Sequence, residues 1–215
     1  MTYLEMVNNV LKRLRERTVS SVNESSYSSL IGALINDAKD EVENSWDWSS
    51  LRSTLTATTV PNVFSSVLTG TDNTVEIIDV INDSENIFMQ KKTESEMNNF
   101  FLNQIPEEGT PRYYAFNGVN NNEEQVVDLY PIPDDEYTLR FNVIWRQPDL
   151  EADSDTTLLP VRPVLLLAYA KAIEERGEDG GIAASSAYMT ANRSLNDYIS
   201  IDAEKHPAEL IWKEV

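Results

Sequence analysis

The spacing of apolar residues changes partway along this chain, and the change limits what it can fold into. From Tyr27 to Trp46 the side chains Tyr27, Leu30, Ile31, Leu34, Ile35, Ala38, Val42 and Trp46 recur at intervals of three and four. That is the repeat of one helix face. From Leu51 the interval becomes two: "LRSTLTATTV" alternates and is rich in threonine, the pattern of a half-buried strand. After Pro163 the helical interval returns. Helix-patterned ends around a strand-patterned middle predict an α+β fold, in which the terminal helices pack together and carry the β region as an insertion.

The first helix is signalled by Thr2 and Glu5, a capping-box pair, ahead of the stripe Leu4, Val7, Leu11 and Leu14. Its other face carries Lys12, Arg13, Arg15 and Arg17. Ser25 or Ser26 caps the second helix. In the middle, "VEIIDVI", "IFMQKK", "PRYYAFNG", "QVVDLYPIP" and "YTLRFNVIW" read as strands, and "ESEMNNFFLNQ" as a short helix or an irregular aromatic segment. In the last strand Tyr137, Leu139, Phe141, Val143 and Trp145 share a face. A helix after Pro163 stops at Gly177, and a last helix runs from about Ile182 to Ile199. The expected division is 1–50 for the N-terminal helices of a bundle, 51–160 for an inserted, mainly antiparallel β region, 161–200 for the C-terminal helices, and 201–215 for an extended tail. Leu210, Ile211 and Trp212 form an apolar tip on that tail. In "NSWDWSSL" the tryptophans Trp46 and Trp48 are expected as core residues at the corner where bundle becomes sheet, since a stacking platform calls for exposed aromatics beside a basic groove.

Composition narrows the chemistry. Hydrophobic residues make up 41% of the 215, enough for a sizeable core. The absence of cysteine removes disulfides, thiolate metal sites and cysteine nucleophiles. The longest apolar run, Val164 to Ala170, is too short to span a bilayer, and the N-terminus has no apolar signal region, with Glu5 early. The lone histidine, His206, lies in the tail beside Pro207, unsuited to a rigid triad. Acids at 149, 151, 153 and 155 suggest a calcium loop, but Ser154 and Pro160 stand where an EF-hand needs Gly and Glu. No catalytic, metal or cofactor residue is singled out. The formal net charge of −19 suits a protein that does not grip nucleic acid.

Taken in order, "YLEMVNNVLKRLRE", the helix ending in "WDW", "PRYYAFNG", "VVDLYPIPDDEYTLRFNV" and "LLPVRPVLLLAYAKAIEERGEDGG" with a long helix ending "SLNDYI" resemble the head-to-tail adaptors of tailed phages. That group includes tail tubular protein A and the head-completion adaptors. The resemblance covers nearly the whole chain and implies a structural virion protein of the neck, assembled in the host cytoplasm. It implies a ring of twelve copies, with the portal above, a tail tube or nozzle protein below, and DNA passing through without specific binding. It implies no cofactor and no membrane. Leu210, Ile211 and Trp212 then become the anchor of a portal-docking arm. Two other readings remain: a glycan- or host-binding tail module using the aromatics of "RYYAF", and a cell-wall hydrolase using an acid pair. Wall degradation, attributed to some relatives, finds no residue here to carry it.

Overall fold

A computed structural model describes residues 1–71, 74–102, 105–177 and 181–205. In chain order the elements are α1 (Tyr3–Arg13), α2 (Ser26–Asn44), β1 (Arg52–Thr58), β2 (Ser65–Val67), β3 (Glu76–Asn82), β4 (Ile87–Phe88), β5 (Gln90–Lys91), α3 (Glu94–Leu102), β6 (Tyr113–Val119), β7 (Gln125–Tyr130), β8 (Thr138–Ile144), α4 (Val161–Arg176) and α5 (Ile182–Ala203). The protein is α+β. It divides into a helical unit, Met1–Leu51 with Gln147–Val215, and a β unit, Arg52–Arg146.

In the helical unit α1 begins with the capping box read from sequence. Thr2 Oγ1 accepts from the Glu5 N–H at 3.3 Å, and Glu5 Oε2 accepts from the Thr2 N–H at 2.9 Å. Tyr3, Met6, Val7, Val10 and Leu11 are buried, a broader face than the predicted stripe. Ser25 caps α2, which buries Ser28, Ile31, Gly32, Ile35, Ala38, Lys39 and Val42. Leu30 is exposed, and Tyr27 and Leu34 are half-buried, so the inward face is rotated from the predicted one and includes a lysine. At Gly32 the helices approach closely: an added Cβ would lie 2.4 Å from Tyr3 Oη and 2.9 Å from Val22 Cγ1.

Helix α4 packs against α1, α2 and α5. Its consecutive Val164, Leu165, Leu166 and Leu167 are all buried, the composition of a helix covered on several sides. Pro163 lies in its first turn, where a missing N–H costs no hydrogen bond. Gly177, at φ +62°, ends it by donating its N–H to the carbonyls of Ile173 and Glu174. Helix α5 buries Ala184, Ala191 and Asp202. It runs to Ala203, beyond the predicted end at Ile199, so residues 201–203 are helix and not extended tail.

The β unit contains two sheets, ordered β1-β8-β3-β4 and β2-β7-β6-β5. All pairings are antiparallel except β5 with β6. Leu139, Phe141 and Val143 of β8 and Val80 of β3 share one buried cluster with Tyr114 of β6 and Val127 and Leu129 of β7, so inner faces of both sheets build this core. Two details differ from expectation. "IFMQKK" is not one strand: β4 and β5 lie in different sheets, separated at Met89. The short β2, Ser65–Val67, has too little alternation to be read from sequence.

Candidate docking surface at the base of the C-terminal residues

Two polar clusters organise the helical unit, and neither was singled out from sequence. The first lies on α2. Asn36, Lys39 and Glu43 project from one face at intervals of three and four. Asn36 Nδ2 donates to the Leu150 carbonyl at 3.1 Å, and its Oδ1 accepts from the Leu150 N–H at 3.0 Å. Lys39 Nζ donates to the Gln147 carbonyl at 2.7 Å, while Glu43 Oε1 accepts from the Gln147 N–H at 2.7 Å. These side chains offer the returning backbone both donor and acceptor, as a neighbouring strand would. Lys39 is only 1% exposed and is compensated by Asp40 at 2.9 Å, Glu43 at 3.7 Å and Asp149 at 3.8 Å. The arrangement explains why residues 147–160 belong to the helical unit, although 51–160 was expected as one β insertion.

The second cluster centres on Asp202, in the last turn of α5. Its Oδ1 accepts from Ser49 Oγ at 2.5 Å and Lys205 Nζ at 2.9 Å. Its Oδ2 accepts from the Ser49 N–H at 2.8 Å and Trp46 Nε1 at 3.2 Å. Burial pushes this carboxyl up, but the Ser49 hydroxyl and N–H, with Lys205, outweigh burial and hold it at about 2. The end of α5 is thereby fixed to the segment that follows α2. Beside it lies a groove of about 300 Å³ lined by Trp48, Leu158, Leu159, Pro160, Tyr198 and Ile201. Leu158 and Ile201 are 57% and 58% exposed. The rim therefore presents apolar surface beside the last turn of α5.

The two tryptophans have different environments. Trp48 is 1% exposed, and its indole N–H donates to the Val42 carbonyl at 2.8 Å. Trp46, expected in the core beside it, is 37% exposed. The reason is local: α2 ends at Asn44, so the three-and-four repeat does not continue to 46. Leu210, Ile211 and Trp212 of the predicted docking arm, and His206, lie outside the described residues.

The features behind the other readings are engaged in the fold. In "RYYAF", Tyr114 is buried in the core and Tyr113 stacks on Phe100 at 5.6 Å. Phe100 also stacks on Tyr130 at 4.5 Å. Among acids, hydrogen bonds lower the carboxyls of Glu24, Glu96 and Glu124, from Ser20, Thr93 and Gly70 respectively. Asp202 is lowered too, and a general acid needs the opposite direction. The acidic loop 149–155 is ordered by its own groups: Asp155 Oδ2 accepts from the N–H groups of Glu151 and Ala152, and Asp153 Oδ1 from that of Val22. Among the described residues, no group of three or more acidic or histidine side chains is placed to hold a metal ion, and no helix is long and apolar enough to cross a membrane.

The sequence profile of the SU10 adaptor proteins matches residues 1–209, encompassing both units and reaching the start of the apolar tip. The chain belongs to the SU10 adaptor protein family. It is a phage adaptor, a structural kind of protein and a component of the virion. No curated protein matches the chain. For an SU10 adaptor protein, the features that bear on function are surfaces that meet neighbours, and the apolar rim beside the Asp202 tether is a candidate for one.

Proposed function

We propose that this chain forms a ring of twelve copies that joins the portal to the tail and lines the DNA channel. The portal sits above the ring and a tail tube or nozzle protein below it, and the ring assembles on the particle in the host cytoplasm. The observation that carries this reading is the Asp202 tether. A docking segment binds well when its root is fixed, because fewer residues then lose freedom on binding. Here α5 is fixed through its last turn, and ten residues that include Leu210, Ile211 and Trp212 follow Lys205. Each of these apolar side chains contributes roughly 1.5–3 kcal/mol when buried, and tryptophan is frequent among binding hot spots. The net charge of −19 suits a conduit that must not retain DNA.

The test is a chain truncated after Lys205, which keeps Asp202 and its partners. Thermal unfolding should be unchanged, and retention on immobilised portal should be lost. If the truncated chain binds the portal as tightly as the intact one, the arm does not do the docking. The second reading, a glycan-binding module, has no observation in its favour, since the aromatics it needs are packed into the fold.

A further inference from the structure

The helical unit carries opposite charge at the two ends of α1. At its C-terminal end Lys12, Arg13, Arg15 and Arg17 supply four of the chain's 17 cations within six positions. Helix α1 ends at Arg13, and the favourable field of its carbonyls fades within the last turn, so it does not account for Arg15 and Arg17. Here lies a groove of about 310 Å³ lined by Arg13, Leu14, Arg15, Tyr169, Ile173 and Arg176. Arg176 is committed to the fold: it donates to Tyr27 Oη at 3.0 Å, to the Leu14 carbonyl at 3.4 Å, and to Glu16. Arg13 is aimed by Asn9, whose Oδ1 accepts its Nε–H at 3.1 Å, and its guanidinium lies 5.8 Å from the Tyr169 ring centre. Neither Arg13 nor Arg15 forms an ion pair among the described residues. Arg15 is exposed, at φ +61° beyond the helix end.

At the opposite end the acidic turn 149–155 abuts the helix start. The Tyr3 N–H donates to the Asp155 carbonyl at 2.7 Å and the Leu4 N–H to the Asp153 carbonyl at 3.2 Å. Asp149, Asp153 and Asp155 are each partly occupied by Lys39 or by backbone N–H groups. Glu151 is exposed, and among the described residues its carboxylate has no hydrogen bond or ion pair. The 11 residues of α1 separate the two ends by about 16 Å.

We propose that the arginine groove at the end of α1 receives the acidic turn around Glu151 of a second copy of this chain. The occupant follows from charge. Copies that each carry −19 repel at a distance, so a contact between them requires local complementarity. Among the described residues, one copy presents Arg13 and Arg15 without an ion pair at one end of α1 and the Glu151 carboxylate without one at the other. A contact that joins unlike ends is head-to-tail, the class that closes into a ring when the rotation permits. Arginine suits the task, because its planar fork takes a carboxylate through two N–H donors. The inference rests on the ring reading and names the residues that make one ring contact.

The absence of cysteine makes the test clean. Arg15→Cys and Glu151→Cys are introduced singly and together into the full-length chain, and rings assembled on particles are treated with a short bismaleimide. The double variant should give a ladder of linked chains on a denaturing gel, and each single variant should remain monomeric. In solution, an equimolar mixture of the two single variants should give a 15–151 heterodimer. Arg15→Glu placed in the Glu151→Cys chain should not disturb the heterodimer, because the groove is then supplied by the other copy. Dimers linked 15 to 15 or 151 to 151, or no ladder in particles whose images show rings, would overturn this contact while leaving the ring reading standing. Particles whose images show no ring would overturn both.

Discussion

Replacing Lys39 by methionine tests how the helical unit holds the chain that returns from the β unit. Methionine is similar in length and fills the same space, so the change removes charge and donors without leaving a large cavity. Lys39 is 1% exposed, and the Glu43 side chain beside it is 4% exposed. Removing one partner from a buried ion pair costs about 3–5 kcal/mol, because the other charge is left without compensation. The Gln147 carbonyl also loses its 2.7 Å donor, a penalty of roughly 1–3 kcal/mol where no water reaches it. These losses overlap, and Asp40 and Asp149 lose only solvent-screened partners, so about 3–5 kcal/mol is expected in total. For a chain of 215 residues each kcal/mol lowers the melting temperature by about 2–4 °C, which gives a fall of roughly 6–20 °C. Urea unfolding followed by far-ultraviolet circular dichroism measures the loss. Hydrogen exchange should show protection falling first at 147–150, where Asn36, Lys39 and Glu43 bind. Lys39→Met with Glu43→Leu should recover only part of the stability, since the apolar pair removes the stranded Glu43 charge but leaves the Gln147 N–H and carbonyl without their partners. A single-variant loss below about 1 kcal/mol would refute the assignment of Lys39 as the centre of this clamp.

Trp48→Ala should cost about 3–5 kcal/mol and Trp46→Ala about 1–2 kcal/mol, because one ring is buried while the other is partly exposed and loses chiefly its bond to Asp202; denaturation midpoints at matched slope decide it. Gly32→Ala should destabilise by about 1–3 kcal/mol through the contact with Tyr3 Oη, and Tyr3→Phe in the same chain should restore part of the loss. The Asp202 carboxyl is held at about 2 against an ordinary 3.8. Its contribution, about 2 kcal/mol, is therefore complete above about pH 4 and is lost as pH falls towards 2. Asp202→Asn should remove that part of the pH dependence, seen as a shallower fall in the urea midpoint between pH 4 and 2 than in the unaltered chain; equal slopes would show that the Ser49 and Lys205 contacts do not stabilise the carboxylate.

Signals that act over three or four residues were legible in the sequence. The Thr2–Glu5 box, the Ser25 cap, the Gly177 stop and the alternating face of Tyr137 to Val143 all appear where the local pattern places them. The inner face of α2 was misjudged by rotation, because Lys39 reads as a surface residue until its partners at Gln147 and Asp149 are known. The signal was present as a lysine and a glutamate, Lys39 and Glu43, four apart on a face otherwise lined by Ile31, Ile35, Ala38 and Val42. Trp46 was misplaced by extending a helical repeat past the helix end. Asp202 was passed over among 36 acids because its partners Trp46 and Ser49 lie more than 150 residues away, and no local pattern marks such a pairing. The arginine run was seen, but its meaning depends on the placement of 149–155 at the far end of α1, a tertiary fact.

Imaging the neck of the particle is the decisive measurement for the proposed ring of this SU10 adaptor protein between portal and tail. A ring of twelve copies of this chain is expected directly beneath the portal, with density for Leu210, Ile211 and Trp212 seated against portal subunits and DNA passing through the centre. A neck without this chain, or with the chain present and its C-terminal residues turned away from the portal, would contradict it.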